Sequence, residues 1–345
     1  MADLRDMLER LLQRRDLAEP EAGELLLALT TGEVAPAMAG ALLAALRSKG
    51  VTADEVRGFA SAMRRLARRP NLPPGPPAID IVGTGGDASG SFNISTGASL
   101  LVAAMGLRVV KHGNRSISSR SGSADLLESL GLPLPLDERA AGDCLAATGF
   151  TFLFAPHYHP ATKAVAPVRR DLGVRTVFNL LGPLTNPAEP PFSLIGAYSA
   201  DAAKLMAETL AGMSVERAFV IHGEPAWDEA TPIGPFELYD VRPGRVVREL
   251  RDPRDLGVAR CSVEDLAGGD PAHNAAALRA VFEGRDRGPH RDAIVLNAAL
   301  ALEVSGAAPT AVEGLREANA ALDRGDGARF LERLAGFGQS LAVTR

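Results

Sequence analysis

Between residues 70 and 77 the chain carries Pro70, Pro73, Pro74, Pro76 and Pro77 around Gly75. Each proline locks φ near about −65° and removes a backbone N–H, so neither a helix nor an interior strand can run through such a stretch. The chain is therefore divided in two by a stiff, extended spacer. A length of 345 residues agrees with that division, being long for one core and suited to a small domain plus a large one. We expect the small domain over 1–70 and the large one over 71–345.

The two regions differ in hydrophobic period. Before the prolines, Leu4, Met7, Leu8, Leu11 and Leu12 recur at the spacing of one helical face. A second apolar run covers 20–29, and a third opens on Pro36, a helix position where a missing N–H does no harm. Thr52-Ala-Asp-Glu55 is a capping box ahead of Val56, Phe59, Met63 and Leu66, which gives a fourth short helix. After the prolines, β-branched apolar runs at 79–82, 108–111, 152–155, 193–198 and 218–222 alternate with helical stretches. The runs at 236–239 and 246–250, split by Pro243-Gly244, read as a hairpin, and helices resume from about 274. The fold class expected is a small all-α domain plus a large α/β domain with a mostly parallel central sheet.

Net charge is −5 with a pI near 5.8, and aromatic residues make up 5%, which argues against a general grip on nucleic acid by charge or by stacking. The distribution says more than the sum. No Asp or Glu occurs from 88 to 124, where Arg108, Lys111, Arg115 and Arg120 fall, nor from 144 to 170, where Lys163, Arg169 and Arg170 fall. An acidic protein that clears acids from two stretches is suited to binding a small anion there. The start of the chain is charged, with Asp3, Arg5, Asp6 and Glu9, and the longest apolar run, 100–107, is too short to cross a bilayer. We expect a cytoplasmic protein that engages no membrane, with Cys144 and Cys261 as reduced thiols.

Ala78-Ile-Asp-Ile-Val-Gly-Thr-Gly-Gly-Asp87 reads as a buried strand entering a glycine turn, where backbone N–H groups can approach a phosphate. Gly83, Gly85 and Ala88 also fit the dinucleotide pattern G-x-G-x-x-A, which requires an acid about 20 residues on for the ribose. The next strand leads instead into Lys111-His112, so a charged phosphate is favoured over NAD. A P-loop pattern is absent from the sequence. Ser91, Asn93, Ser95 and Thr96 supply donors where a helix begins, and Lys111-His-Gly-Asn-Arg-Ser-Ile-Ser-Ser119 gathers cations, an amide and hydroxyls around Gly113. The bland reading of each segment is a solvated loop; together they read as a phosphate cradle.

These motifs resemble the anthranilate phosphoribosyltransferase family. The resemblance is carried by Gly83-Thr-Gly-Gly-Asp87, Phe92-Asn-Ile-Ser-Thr96, Lys111-His-Gly-Asn-Arg115, Gly122-Ser-Ala-Asp125 and Phe152-Leu-Phe-Ala-Pro156 with His159-Pro-Ala161. It continues through Pro167-Val-Arg-Arg170, Arg175-Thr176, the run from Phe178 to Pro187, Gly268-Gly-Asp270 and Arg291-Asp-Ala293, and so spans essentially the whole chain. It implies transfer of the 5-phosphoribosyl group of phosphoribosyl diphosphate (PRPP) to anthranilate in tryptophan biosynthesis. The fold it implies is a helical domain, rejoined by a helix pair from about 165–190, with the active site against the α/β domain and a homodimer through the helical part.

The same resemblance assigns residues. PRPP is expected at Gly83, Gly86, Asp87, Ser91, Asn93, Ile94, Ser95 and Thr96, with Lys111, His112, Gly113, Asn114, Arg115, Ser116, Ile117, Ser118, Ser119 and Ser123 closing over it. Gly83, Asn114 and Arg169 are expected beside anthranilate, and Ser95, Asp228 and Glu229 at Mg²⁺. Lys111 and Arg115 are the cations expected to stabilise the departing diphosphate. One stretch departs from the family pattern: Glu224-Pro-Ala-Trp-Asp-Glu229 stands where an Asp-Gly-Leu-Asp-Glu-like run is usual. The alternatives are a phosphoribosyltransferase or nucleoside phosphorylase for another acceptor, or a non-catalytic relative that binds nucleic acid.

Overall fold

The computed structural model describes residues 3–87, 89–115 and 120–344, with side chains described through residue 341. Its first part holds α1 (Leu4–Leu12), α2 (Glu19–Thr30), α3 (Pro36–Lys49) and α4 (Ala53–Leu66). Local chemistry sets the helix starts. Asp3 accepts from the N–H groups of Arg5 and Asp6 ahead of α1, Pro36 opens α3, and Thr52 with Glu55 forms the capping box of α4. Glu55 is fully buried, and it also accepts from Leu17 N at 2.9 Å and pairs with Lys49 at 3.0 Å, so one carboxylate ties three segments. Helices α2 and α4 touch by backbone: a Cβ on Gly58 would strike Glu19 O, Ala22 and Gly23 N.

The α/β part begins with β1 (Ala78–Gly83), α5 (Ile94–Ala104), β2 (Arg108–Gly113), α6 (Ser123–Ser129), α7 (Glu138–Thr148) and β3 (Phe150–Phe154). The third strand lies earlier than its pattern suggested, because Ala155-Pro156 already opens the short α8 (Ala155–Tyr158). There follow α9 (Ala166–Leu172), α10 (Phe178–Leu184), β4 (Phe192–Gly196), α11 (Ala200–Ala211), β5 (Arg217–Gly223), β6 (Phe236–Arg242) and β7 (Arg245–Arg251). Helices α12 (Pro271–Phe282), α13 (Pro289–Val304), α14 (Ala311–Asp323) and α15 (Asp326–Thr344) complete the chain.

The strands form one sheet in the order β3-β2-β1-β4-β5-β6-β7. The first five are parallel, and β6 and β7 close it as an antiparallel hairpin. Side chains alternate between two cores, as the two-residue period of a strand requires. Ile79, Ile81, Leu194 and Ile221 join α5, α13 and α15, while Val82, Ile195, Ala218 and Val220 join α1–α4, α10 and α11. Val165, Val177, Phe178, Leu180 and Leu181 belong to this second core, and Phe178 meets Phe59 edge-on at 6.1 Å, so α9 and α10 pack on the helical lobe.

Strand order reverses at β1, which has β2 on one side and β4 on the other. In an open parallel sheet such a switch point leaves a crevice at the strands' carboxyl ends. At that end β1, β2, β4 and β5 all finish in glycine: Gly83, Gly113, Gly196 and Gly223.

Candidate functional site

Those glycines leave room for a segment to fold down onto the strand ends. A Cβ on Gly83 would strike the Asp228 carboxylate, one on Gly196 the Asp228 backbone carbonyl, and one on Gly223 the Glu229 carbonyl. The segment is held from above by α13, where buried Asn297 donates to Ala230 O at 2.7 Å. Although the sequence before it departs from the family pattern, Gly223–Trp227 forms a closed turn, with Trp227 N and Gly223 N each donating to the other's carbonyl at 2.9 Å. Trp227 packs in the core and leaves Asp228 and Glu229 facing the glycine turn.

Both carboxylates rest on backbone donors rather than on cations. Asp228 Oδ2 accepts from Gly85 N at 2.7 Å, and Glu229 Oε1 accepts from Ser95 N, in the first turn of α5, at 3.0 Å. Asp87 lies alongside, its Oδ2 3.4 Å from Asp228 N. Burial, then repulsion among these acids, raises the Asp228 and Glu229 carboxyls above their ordinary values. Neither has an ion-pair partner among the described residues.

Across the turn a cavity of about 500 Å³ opens, lined by Gly83–Gly86, Lys111–Arg115, Ser123, Arg169 and the start of α10. Lys111 is fully buried at the end of β2 and donates to Ile81 O. Burial pushes its ammonium down to about 8, against the pull of Asp80, Glu229 and Asp228. Arg169 reaches the cavity from α9 with its guanidinium over the Phe178 ring at 4.9 Å, and burial lowers its pKa. Among the described residues neither cation has a carboxylate within ion-pair distance.

Arg115 is placed differently. Its fork is taken by Glu128 at 2.5 and 2.6 Å and by Asp125 at 2.9 Å, both on α6, and it lies over the Phe154 ring at 5.7 Å. His112 Nδ1 lies 3.0 Å from Gly182 O, and His159 Nε2 3.0 Å from Thr185 O. A carbonyl only accepts, so those ring nitrogens carry the hydrogens. Burial pushes His112 down to about 3 and His159 to about 4, so both rings are neutral at neutral pH.

The remaining residues expected at the site gather around the same turn. Thr96 donates to Ser123 Oγ at 3.1 Å, joining the starts of α5 and α6, and Asn114 Oδ1 accepts from Arg115 N at 2.7 Å. Ser91 bridges to Ala267, Ile94 is buried at the start of α5, and Gly113 ends β2. Ser116, Ile117, Ser118 and Ser119 lie outside the described residues, as does Ala88.

Sequence reasoning missed two supports. Buried Asn274 on α12 donates to Asn93 Oδ1 at 2.8 Å and fixes that amide, which in turn donates to Ser121 O at 3.1 Å. Arg175 donates to Gly86 O. For Asn274 the sequence offers only its nearness to Gly268-Gly-Asp270.

Two family models match the chain: the glycosyl transferase family helical bundle domain over residues 5–67, and the glycosyl transferase family a/b domain over residues 75–328. Anthranilate phosphoribosyltransferase of Desulforudis audaxviator is 47% identical over 335 residues, covering 97% of this chain and 96% of that protein. The chain belongs to the anthranilate phosphoribosyltransferase family. The crystal structure of the family member from Thermus thermophilus superposes with a TM-score of 0.90 at 42% identity, covering 97% of this chain and 99% of that one. That of the Saccharomyces cerevisiae enzyme in complex with PRPP and Mg does so with 0.89 at 27% identity, covering 98% of each. The chain therefore shares both the helical lobe and the sheet with these relatives.

Proposed function

We propose that this chain transfers the 5-phosphoribosyl group of PRPP to the amine of anthranilate, giving N-(5-phosphoribosyl)anthranilate and diphosphate. One observation carries the reading: a single cavity brings together fully buried Lys111 and half-buried Arg169, neither with a carboxylate within ion-pair distance among the described residues. A desolvated cation without a partner is costly, and a ligand that supplies the anion offsets the cost. Arg169, a planar fork resting on an aromatic ring, suits the carboxylate of anthranilate. Lys111, a point charge beside the glycine turn, suits a phosphate.

Displacing diphosphate from C1 of the ribose develops positive charge on the sugar and negative charge on the leaving group. Lys111 and the backbone donors of the turn and of the α5 amino end act on the leaving group. Arg115 shapes the loop that carries Asn114, since its own fork is engaged by Glu128 and Asp125. Arg169 and Asn114 hold the acceptor amine in line with C1. The aromatic amine attacks through its lone pair as the bond from C1 to the diphosphate breaks, and its proton then passes to water or the departing diphosphate, so His112 and His159 need not act as bases.

The carboxylates of Asp228 and Glu229, with Ser95, fit Mg²⁺: hard oxygens, buried, and raised in pKa by that burial and then by repulsion among neighbouring acids. Mg²⁺ commonly keeps substrate and water oxygens in its shell beside one or two protein carboxylates, a number that Asp228 and Glu229 supply. When bound, Mg²⁺ neutralises the diphosphate and favours its departure. We infer a homodimer through the helical lobe, supported by an apolar groove that Leu4, Leu27, Val34 and Met38 line there, and a cytoplasmic location, supported by two free thiols. No described helix is long and apolar enough to cross a membrane.

The test is to mix protein, anthranilate, PRPP and Mg²⁺ and follow anthranilate fluorescence. Metal-dependent loss is expected. A steady signal with PRPP bound would contradict the acceptor, and cleavage of a nucleoside by phosphate would replace the reading with that of a phosphorylase.

A further inference from the structure

The glycine turn lacks the means to hold its own shape. Gly85 and Gly86 lie at φ +66° and +71°, in the left-handed region, and have no side chains to pack. Three outside contacts pin them. Thr84 N donates to Gly196 O at 2.9 Å, Gly85 N donates to Asp228 Oδ2 at 2.7 Å, and Gly86 O accepts from the Arg175 guanidinium. Gly196 ends β4, and Asp228 lies in the segment folded over the strand ends between β5 and β6.

Arg175 comes from the other lobe. It sits between α9 and α10, whose apolar side chains belong to the core that α1–α4 share with one face of the sheet, and its carbonyl accepts from Arg47 near the end of α3. Its guanidinium lies over the Tyr198 ring at 4.0 Å, and Tyr198 N donates to Thr84 Oγ1 at 3.1 Å, so one stacked pair contacts the turn twice. The same segment carries Arg169 on α9, inside the cavity. The helical lobe's position is thus passed to the donor side of the cleft through one side chain.

We propose that Arg175 is a positioning residue for the donor, setting the glycine turn in its phosphate-binding shape when the segment bearing Arg169 is docked. The proposal rests on reading the turn as the donor cradle. A charged fork on a carbonyl, braced by an aromatic face, fixes direction as well as distance, which an ammonium in its place does not.

Full-length Arg175→Ala, Arg175→Lys and Gly86→Ala proteins are compared with wild type by steady-state kinetics in both substrates and by thermal unfolding. Loss of one charge-assisted hydrogen bond predicts a KM for PRPP raised about tenfold in Arg175→Ala, with kcat within about threefold and the KM for anthranilate at saturating PRPP within about twofold. The unfolding midpoint stays near wild type, because the side chain is exposed. Arg175→Lys recovers only part of the loss, and Arg175→Ala combined with Tyr198→Ala is no worse than Arg175→Ala alone. If Gly86→Ala raises the KM for PRPP while Arg175→Ala does not, or Arg175→Ala lowers only the unfolding midpoint, the proposal is overturned and the cradle stands. If neither variant changes PRPP kinetics, the cradle reading fails and the proposal with it.

Discussion

Two clusters of charge, buried or half-buried, lie on the same sheet, and they are matched in opposite ways. On the β5–β7 flank, Arg217 meets Asp240 through two hydrogen bonds of 2.9 and 2.8 Å, and Arg251 meets Glu303 through two of 2.6 and 3.0 Å. Both guanidinium groups also lie over Phe219, at 4.7 and 5.3 Å. At the strands' carboxyl ends, Lys111 rests on a carbonyl, Arg169 on a ring, and Asp228 and Glu229 on backbone N–H groups. The pKa directions report the difference. Asp240 raises Arg217, whereas burial lowers Arg169. Charges that the fold matches hold the fold; charges it leaves unmatched are available to ligands, at a cost in stability.

The comparison breaks most visibly at the acids. Asp228→Asn and Glu229→Gln are expected to lower kcat by about 10²–10³ in the fluorescence assay, the scale of losing a principal electrostatic stabiliser. On the paired flank the outcome inverts. Asp240→Asn is expected to cost about 2 kcal/mol in urea unfolding by uncoupling Arg217, with kcat/KM for both substrates within about twofold. Arg169→Lys, which keeps the charge but not the fork, is expected to raise the KM for anthranilate about tenfold with little change for PRPP.

The smallest effect is a pH dependence. Burial lowers Lys111 from 10.5 to about 8 in the folded protein, so across that window the unfolded chain binds more protons than the folded one. The cost of burying this ammonium is fully present below about pH 8 and relieved as pH rises towards about 10.5, and ligand-free stability attributable to Lys111 rises over that range. Function goes the other way: kcat/KM for PRPP falls as pH climbs through about 8 and the cation is lost. Lys111→Met removes both trends.

Much of this frame was legible in the chain. Thr52 and Glu55 announced their capping box, the prolines marked the spacer, and the apolar run 79–82 marked a buried strand ahead of the glycine turn. Unlegible were the contacts that depend on strand order. Nothing near Asp228 says that Gly83 and Gly196 will lie beneath it, since those neighbours meet only once β4 is inserted between β1 and β5. Asn274 is 181 residues from the Asn93 it orients. Arg115 shows the limit of a motif: a cation in a phosphate-like loop reads as a ligand, yet Asp125 and Glu128, spaced to share one face of α6, capture it.

The central claim, that the cleft's charges are unmatched until ligands arrive, is tested most directly by unfolding midpoints of wild type and Asp228→Asn at about pH 8, with and without Mg²⁺ plus PRPP. The account predicts a crossing: without ligands the amide variant is the more stable, because a buried carboxylate raised by its neighbours has been removed, and with ligands the wild type overtakes it. An amide variant less stable than wild type in the absence of ligands, or equal gains for both proteins on adding them, would contradict it.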